Sequence, residues 1–353
     1  MKVFRVLCLL ALVCFLGNTK GGAQDIHFSQ FYLSPLNLNP AMTGVMSCQH
    51  RFVVNYRNQY ASVLKSNAFN TYSVSYDNRI PVGRYDNFGW GFSLWGDVAG
   101  QSSFQTLEAR GSFAYSKRMS GYRKRSSYLS AGADFGLAQR SIDFLALQYG
   151  TQNNDGNFDP SLPSFENFDV SNFMFFDMSA GMLWYTVLNE TDNFYIGGVL
   201  SHLTRANQAF NRSGDDQEFE ALYTKITLHA GGEFALTDRL GIVPGIVSFI
   251  QGPSMQINGG TSFKFRLGQG RNTYQAFHLG TWVRVSNTFT GGIHTDALIL
   301  QTRFDYNNFS LGLSYDVNVS SLRPASNSNG AYELSLVYKI CQPERRGVFC
   351  PDF

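Results

Sequence analysis

Charge is scarce in this sequence. Asp, Glu, Lys and Arg make up 15% of its 353 residues, against roughly 25% in ordinary soluble domains. Proline is sparse, with 10 residues, and the 5 cysteines include no C-x-x-C pair. Zinc and thiol-redox sites therefore have no support in spacing. The 6 histidines are scattered, with no HExxH and no pair at metal-ligand spacing. G-x-S-x-G, P-loop and dinucleotide fingerprints are missing too. The sequence thus gives no reason to expect an enzyme, a cofactor or a metal. Long apolar runs are also missing. Mean hydropathy is −0.16, and the apolar stretch Val6 to Leu16 is too short to cross a bilayer as a helix.

What is abundant is aromatic side chains, at 15%, and glycine, at 34 residues. Few charges, many aromatics and many glycines at modest hydropathy form the composition of a transmembrane β-barrel. A large secreted β-sandwich is the competing reading of composition alone.

The first residues read as a secretory signal over 1–23. Lys2 and Arg5 form its charged region, Val6 to Leu16 its apolar run, and Gly21-Gly22-Ala23 its cleavage site. A lipobox at Leu12-Val13-Cys14 is a poor fit, because Val precedes the Cys and the apolar run continues past it. Cleavage after Ala23 removes three of the 28 Lys+Arg (Lys2, Arg5 and Lys20) and no acid, leaving 25 against 26. That balance implies no nucleic-acid partner. Cys48, Cys341 and Cys350 then remain. Cys341 and Cys350 flank a polar tail and are placed to close a small loop; three free thiols is the alternative.

The rest alternates with period 2. Phe52, Val54 and Tyr56 oppose Val53, Asn55 and Arg57. Tyr72, Val74 and Tyr76 oppose Ser73, Ser75 and Asp77. Trp90, Phe92 and Leu94 oppose Gly89, Gly91 and Ser93. Leu107, Ala109, Phe113 and Tyr115 oppose Thr106, Glu108, Arg110 and Ser112; Leu129, Phe135 and Leu137 oppose Ser130, Gly132 and Asp134. The wet face of a soluble sandwich is rich in Lys and Glu. This polar face is Ser, Gly, Thr and Asn with occasional charges, as a barrel lumen requires. Nine further segments read as strands: Phe173–Tyr185, Asn193–His202, Leu222–Phe234, Leu240–Ile250, Met255–Phe265, Ala276–Val285, Ala297–Phe304, Phe309–Val319 and Ala331–Ile340. The expectation is an all-β, 14-stranded antiparallel transmembrane barrel over 51–340, an N-terminal arm over 24–50 and a periplasmic tail over 341–353. An even strand number puts both termini on one side. With that side periplasmic, the long connections Ile142–Asn172, Leu203–Ala221 and Ser320–Gly330 are extracellular.

The arm is the unusual part. Gln24 to Gly44 carries Phe28, Phe31, Tyr32, Leu33, Leu36 and Leu38 among Asn and Gln, with Pro35 and Pro40 interrupting it. Proline rules out a long helix or a central strand, and so many apolar side chains rule out a solvated tail. We expect an extended arm that enters the periplasmic half of the lumen as a plug. His27, Phe28, Gln30, Phe31, Tyr32, Asn37, Asn39 and Pro40 would be its contact residues, with Gly89, Gly91 and Gly132 giving it room. Docking to a partner is the other way to cover it. Lys117, Arg118, Arg123, Lys124 and Arg125 form a basic periplasmic turn that suits an acidic partner or anionic lipid headgroups. His229 is expected in the lumen, paired with Lys225 or Glu233, and His202 hydrogen-bonded at a strand end. Asn153-Asn154-Asp155-Gly156-Asn157 has oxygen ligands but not the spacing of a calcium loop, and reads as solvated together with Asp143, Asp159, Glu166 and Asp169.

The arm, with Asn55-Tyr56-Arg57-Asn58-Gln59, resembles the N-terminal signature of the PorP/SprF family, outer-membrane proteins of type IX secretion and gliding motility in Bacteroidetes. Ile26 stands where that family has Pro, and Tyr60 where it has Trp. The likeness continues through Ser201-His202-Leu203, Asn207-Gln208-Ala209-Phe210, Gln251-Gly252-Pro253, Asp296-Ala297, Leu311 to Asp316, Leu322 and Glu333 to Leu336. It implies an outer-membrane component of the secretion machinery, with outer-membrane lipid around it. Its partners would be periplasmic ring lipoproteins or a peptidoglycan-binding adaptor, and it would support adhesin display. A channel for a small or hydrophobic solute, like the long-chain fatty-acid transporters, is the alternative function.

Overall fold

A computed structural model describes residues 25–122, 125–154, 157–164, 170–189, 191–211, 219–270, 273–288 and 292–342. The proposed signal 1–23 and the tail beyond Gln342, with Cys350, lie outside them, as do Arg123, Lys124, Asp155, Gly156, Glu166 and Asp169.

Fourteen antiparallel strands close into a barrel. They are β1 (His50–Gln59), β2 (Phe69–Val82), β3 (Asp86–Ala99), β4 (Phe104–Tyr122), β5 (Arg125–Ser141), β8 (Asn172–Val187), β9 (Asn193–Ser201), β10 (Lys225–Ala235), β11 (Leu240–Gln251), β12 (Ser254–Gly270), β13 (Thr273–Asn287), β14 (Ile293–Tyr306), β15 (Phe309–Asn318) and β16 (Asn329–Ile340). Two short strands, β6 (Asn153–Asn154) and β7 (Asn157–Phe158), make a separate hairpin in the connection after β5. Each barrel strand pairs with its sequence neighbour. The ring is completed by β1 against β16, in register from His50↔Ile340 to Gln59↔Ala331. Closure leaves no open edge, the condition for strands in hydrocarbon.

Every strand read from alternation is present, with two adjustments. The eighth barrel strand begins at Lys225, not Leu222. Leu222 instead bonds back to Ala206 across the loop. Several strands also run longer than their alternating cores, above all β4 and β12.

The two faces separate as period 2 requires. Phe92 is 51% exposed and Phe135 44%, whereas Ser93 and Asp134 are each 3% exposed. The outward residues form the lipid-facing band; the inward ones are buried by something inside. The long connections after β5, β9 and β15 share one end of the barrel, the loop end. The short connections after β8, β10 and β14 share the other, the turn end, together with the start of β1 and the end of β16. At the loop end Phe210 packs edge-on against Phe144 and Phe173 at centroid distances of 5.5 and 5.1 Å, so the long loops fold onto the rim.

One cysteine expectation is corrected. Cys341 is bonded to Cys48, not to Cys350. Cys48 precedes β1 and Cys341 follows β16, and those two strands are neighbours in the ring, which brings the cysteines' Cα atoms to 4.3 Å.

Candidate functional site in the barrel lumen

What fills the barrel is residues 25–48. The arm is not extended. It coils through three single turns, Phe31–Leu33, Pro35–Leu38 and Pro40–Met42. Each proline sits at the first position of its turn, where its missing N–H costs nothing and its φ is preset. Its path also differs from the expected one. Asp25 lies at the loop end, beside His202 and Lys225, and Cys48 at the turn end. The arm therefore runs the length of the lumen and is not confined to its periplasmic half.

Ion pairs hold its first residues. The Asp25 carboxylate meets Lys225 Nζ at 3.0 Å and His202 Nε2 at 3.2 Å, and His202 Nδ1 reaches Asp177 at 2.8 Å. Arg110 joins Asp177 to Glu108 and Asp134 at 3.1, 2.7 and 3.8 Å. His202, one residue past β9, sits at φ 58, a region a non-glycine residue visits rarely. Burial disfavours its charged form, but Asp25 and Asp177 outweigh that and lift its pKa to about 9. Burial also opposes the Asp25 carboxylate, yet Lys225 and His202 hold its pKa well below the usual value. His27 lies above, tilted against Phe249 at 6.4 Å.

A second cluster receives Ser29 and Gln30. Both backbone N–H groups donate to Glu333, at 2.5 and 2.9 Å, while the Ser29 hydroxyl donates to Asp316 at 2.9 Å. Arg57 binds Asp316 at 3.0 Å and Glu333 more closely still, and Arg284 binds Asp316 at 2.8 Å. Two guanidinium groups thus face two carboxylates, and the arm supplies the remaining hydrogen bonds. Buried charges persist only when paired and hydrogen-bonded in this way.

The arm's apolar side chains are covered inside. Phe31 meets Trp282 edge-on at 5.4 Å, and Tyr32 stacks on the same ring at 5.7 Å, its hydroxyl donating to Gln301. Phe28, Leu33, Leu36 and Leu38 are all buried. Full burial of such side chains contributes about 1.5–3 kcal/mol each. The arm's amides bond to lumen groups. Asn37 Nδ2 donates to Ser73 Oγ at 2.7 Å, and Asn39 Nδ2 donates to the Met182 carbonyl at 3.1 Å and to His229 Nε2 at 2.9 Å. His229 is therefore partnered by the arm, not by Lys225 or Glu233 as its strand position suggested. Glu233 is taken by Lys264 at 2.7 Å and Arg266 at 3.2 Å.

Close approach depends on lumenal glycines. A Cβ on Gly132 would meet the Pro40 carbonyl oxygen at 2.6 Å, and one on Gly91 would meet a Leu36 methyl at 2.9 Å. Gly89 is covered by Thr43, Gly181 by Asn39 and Gly312 by Gln30. Near the turn end the Gly44 N–H donates to Asp77 at 2.8 Å. Arg51, itself paired with Asp77 at 2.8 Å, donates to the Met42 carbonyl at 3.2 Å. Beside Tyr32 and Trp282 a void of about 30 Å³ remains, room for one or two waters.

A model of the type IX secretion system membrane protein family PorP/SprF matches residues 20–338. The chain belongs to the PorP/SprF family. No curated protein matches. Among solved structures, similar folds include the toluene transporter TbuX of Ralstonia pickettii (12% identity, 91% of this chain and 96% of that one, TM-score 0.46). CdiB of Escherichia coli (6%, 81% and 63%, 0.44) and the monoaromatic hydrocarbon channel TodX (10%, 85% and 91%, 0.38) are others.

In this PorP/SprF chain the motif residues converge on the arm. Asn55 donates to the Leu33 carbonyl at 3.2 Å. Arg57, His202, Asp316 and Glu333 bind Ser29, Gln30 or Asp25 as described. Sequence reading missed Ser29, Arg284, Gly181, Gly197 and Gly312. The glycines carried a usable signal, since all lie at lumen-facing positions. The basic turn stands apart from this site, at the turn end. Lys117 and Arg125 are exposed there, and the Arg118 guanidinium lies 3.2 Å from the centre of the Tyr85 ring.

Proposed function

We propose that this protein serves type IX secretion from the outer membrane as an anchoring component, and that its arm keeps the barrel closed as a plug. The observation that carries the reading is the occupied lumen. The arm enters it at the loop end, is bonded or packed along its length, and leaves it at a disulfide. A solute channel or transporter needs a continuous lumen or an apolar pocket of substrate size; among the described residues, voids beside the arm measure about 20, 20 and 30 Å³. With the interior committed to the chain's own residues, the surfaces left for partners are its two ends. The turn end would face periplasmic ring lipoproteins or a peptidoglycan-binding adaptor, and the loop end surface adhesins. Residues 1–23 serve as the export signal in this reading.

Purification of the tagged, full-length protein from native outer membranes tests it. Periplasmic secretion components should co-purify in stoichiometric amounts. Isolation of the barrel alone after mild cross-linking, together with saturable uptake of a solute by proteoliposomes, would replace this reading with the transporter.

A further inference from the structure

We propose that the outer surface of the turn end, between the β4–β5 hairpin and the β8–β9 connection, binds the headgroup of an anionic phospholipid. The inference rests on the outer-membrane reading above. On β4 the lipid-facing column runs Phe113, Tyr115, Lys117 toward the turn end. On β5 it runs Leu129, Ser127, Arg125, and on β8 it runs Trp184, Thr186. Each column changes from apolar or aromatic to cationic or hydroxylated as it nears the rim. Aromatic side chains mark the membrane interface, so the cations lie at the level of the phosphates.

Here the chain leaves a cleft of about 400 Å³, whose lining includes Ser120, Arg125, Ser127, Thr186, Leu188 and Asn189. Ser127 Oγ and Thr186 Oγ1 hydrogen-bond to each other at 2.9 Å across the β5–β8 ladder, which leaves at most one of the two O–H groups to donate to a phosphate oxygen. Nearby charges are otherwise engaged. Arg118 is stacked on Tyr85 and its N–H donates to Asp86 at 3.0 Å, while Asp86 also accepts from the Tyr115 hydroxyl at 2.8 Å. Among the described residues, no ion pair ties up Lys117 or Arg125. A phosphate with two acyl chains fits this geometry better than an acidic protein. The cations share their strand faces with residues that contact lipid, so a protein would have to approach through the bilayer plane.

The test uses full-length protein in nanodiscs of phosphatidylglycerol or phosphatidylcholine, with retained lipid read by native mass spectrometry after detergent exchange. Wild type should retain phosphatidylglycerol selectively. Lys117→Gln/Arg125→Gln should lose retention about 25-fold, from roughly a fivefold factor per cation, while Lys117→Arg/Arg125→Lys should keep it. Heat-modifiable migration on gels would show each barrel intact. Equal retention by wild type and the Gln variant overturns the proposal. Displacement by millimolar inorganic phosphate overturns it in favour of a free-anion site. Unchanged lipid with loss of a co-purifying acidic protein overturns it in favour of a protein interface. Cell fractionation separates the two readings: a protein that fractionates with the outer membrane but retains no phosphatidylglycerol defeats this inference alone.

Discussion

Asn39 and His229 are joined across the lumen. Asn39 Oδ1 accepts from the Ala41 N–H at 2.8 Å, which fixes the amide orientation. Nδ2 is then the donor at 2.9 Å, and His229 Nε2 must accept, so the neutral ring carries its proton on Nδ1. Asn39→Leu would leave His229 Nε2 unsatisfied and put methyl groups where Gly181 and Gly197 leave little room. A loss of about 1–3 kcal/mol is expected from the orphaned acceptor alone. Urea titration of the detergent-solubilised barrel, followed by heat-modifiable migration, measures it.

Removing the arm separates plug from dock. Deletion of Asp25–Gly44 should raise single-channel conductance in planar bilayers and leave the barrel heat-modifiable. Unchanged conductance with loss of a periplasmic partner would make the segment a docking element instead.

The packed lumen changes what a lumen substitution does. Phe92 faces lipid, and Phe92→Arg should cost roughly 2–4 kcal/mol near the midplane. Ser93 faces inward, where an open pore would tolerate Arg. At 3% exposure, Ser93 has no such space. Ser93→Arg is therefore expected to be damaging in the full chain and tolerated once Asp25–Gly44 is deleted, while Phe92→Arg is damaging in both. Folded yield in outer-membrane fractions reads the difference.

The loop-end attachment should depend on pH at both extremes. The His202 pKa is raised from 6.5 to about 9, so its stabilising contribution is full below 6.5 and is lost as pH rises through 9. The Asp25 pKa is lowered from 3.8, so its contribution is full above 3.8 and is lost as pH falls through the depressed value. Protection factors of residues 26–30, the intrinsic amide exchange rate at each pH divided by the observed one, should be highest between these limits and fall toward pH 9. His202→Gln should abolish that alkaline fall in protection. A fall unaffected by that substitution would place the titrating group elsewhere.

Because Asp25 lies at the loop end, an epitope inserted directly before it should be reached by antibody on intact cells. The Ile142–Asn172 connection should be cleaved by added protease on the same cells. Labelling of Lys117 on intact cells, with the acidic loop protected, would invert the orientation.

The barrel was legible because period-2 alternation is a local signal and strand number follows from counting it. Tyr72, Val74 and Tyr76 against Ser73, Ser75 and Asp77 needed no partner to be read. Three features depended on distant residues and were not. The arm's depth is set by Asp25 meeting Lys225 and His202, separated from it by 200 and 177 positions. The partner of His229 lies on the arm, 190 positions away, so its own strand suggested the wrong neighbours. Cys48 and Cys341 are 293 positions apart, and only ring closure makes them adjacent, whereas Cys350 was merely close in sequence. Turn boundaries such as Leu222 failed for a smaller reason: an apolar residue bonded within a loop imitates a strand start.

The bond between Cys48 and Cys341 turns the whole barrel into a covalent ring. It joins a residue just before the first strand's start to the residue after the last strand's end, so the seam between β1 and β16 is held by a covalent bond as well as by its ladder. A single protease cut in any surface loop would then leave the pieces joined, and they would separate on a gel only after reduction.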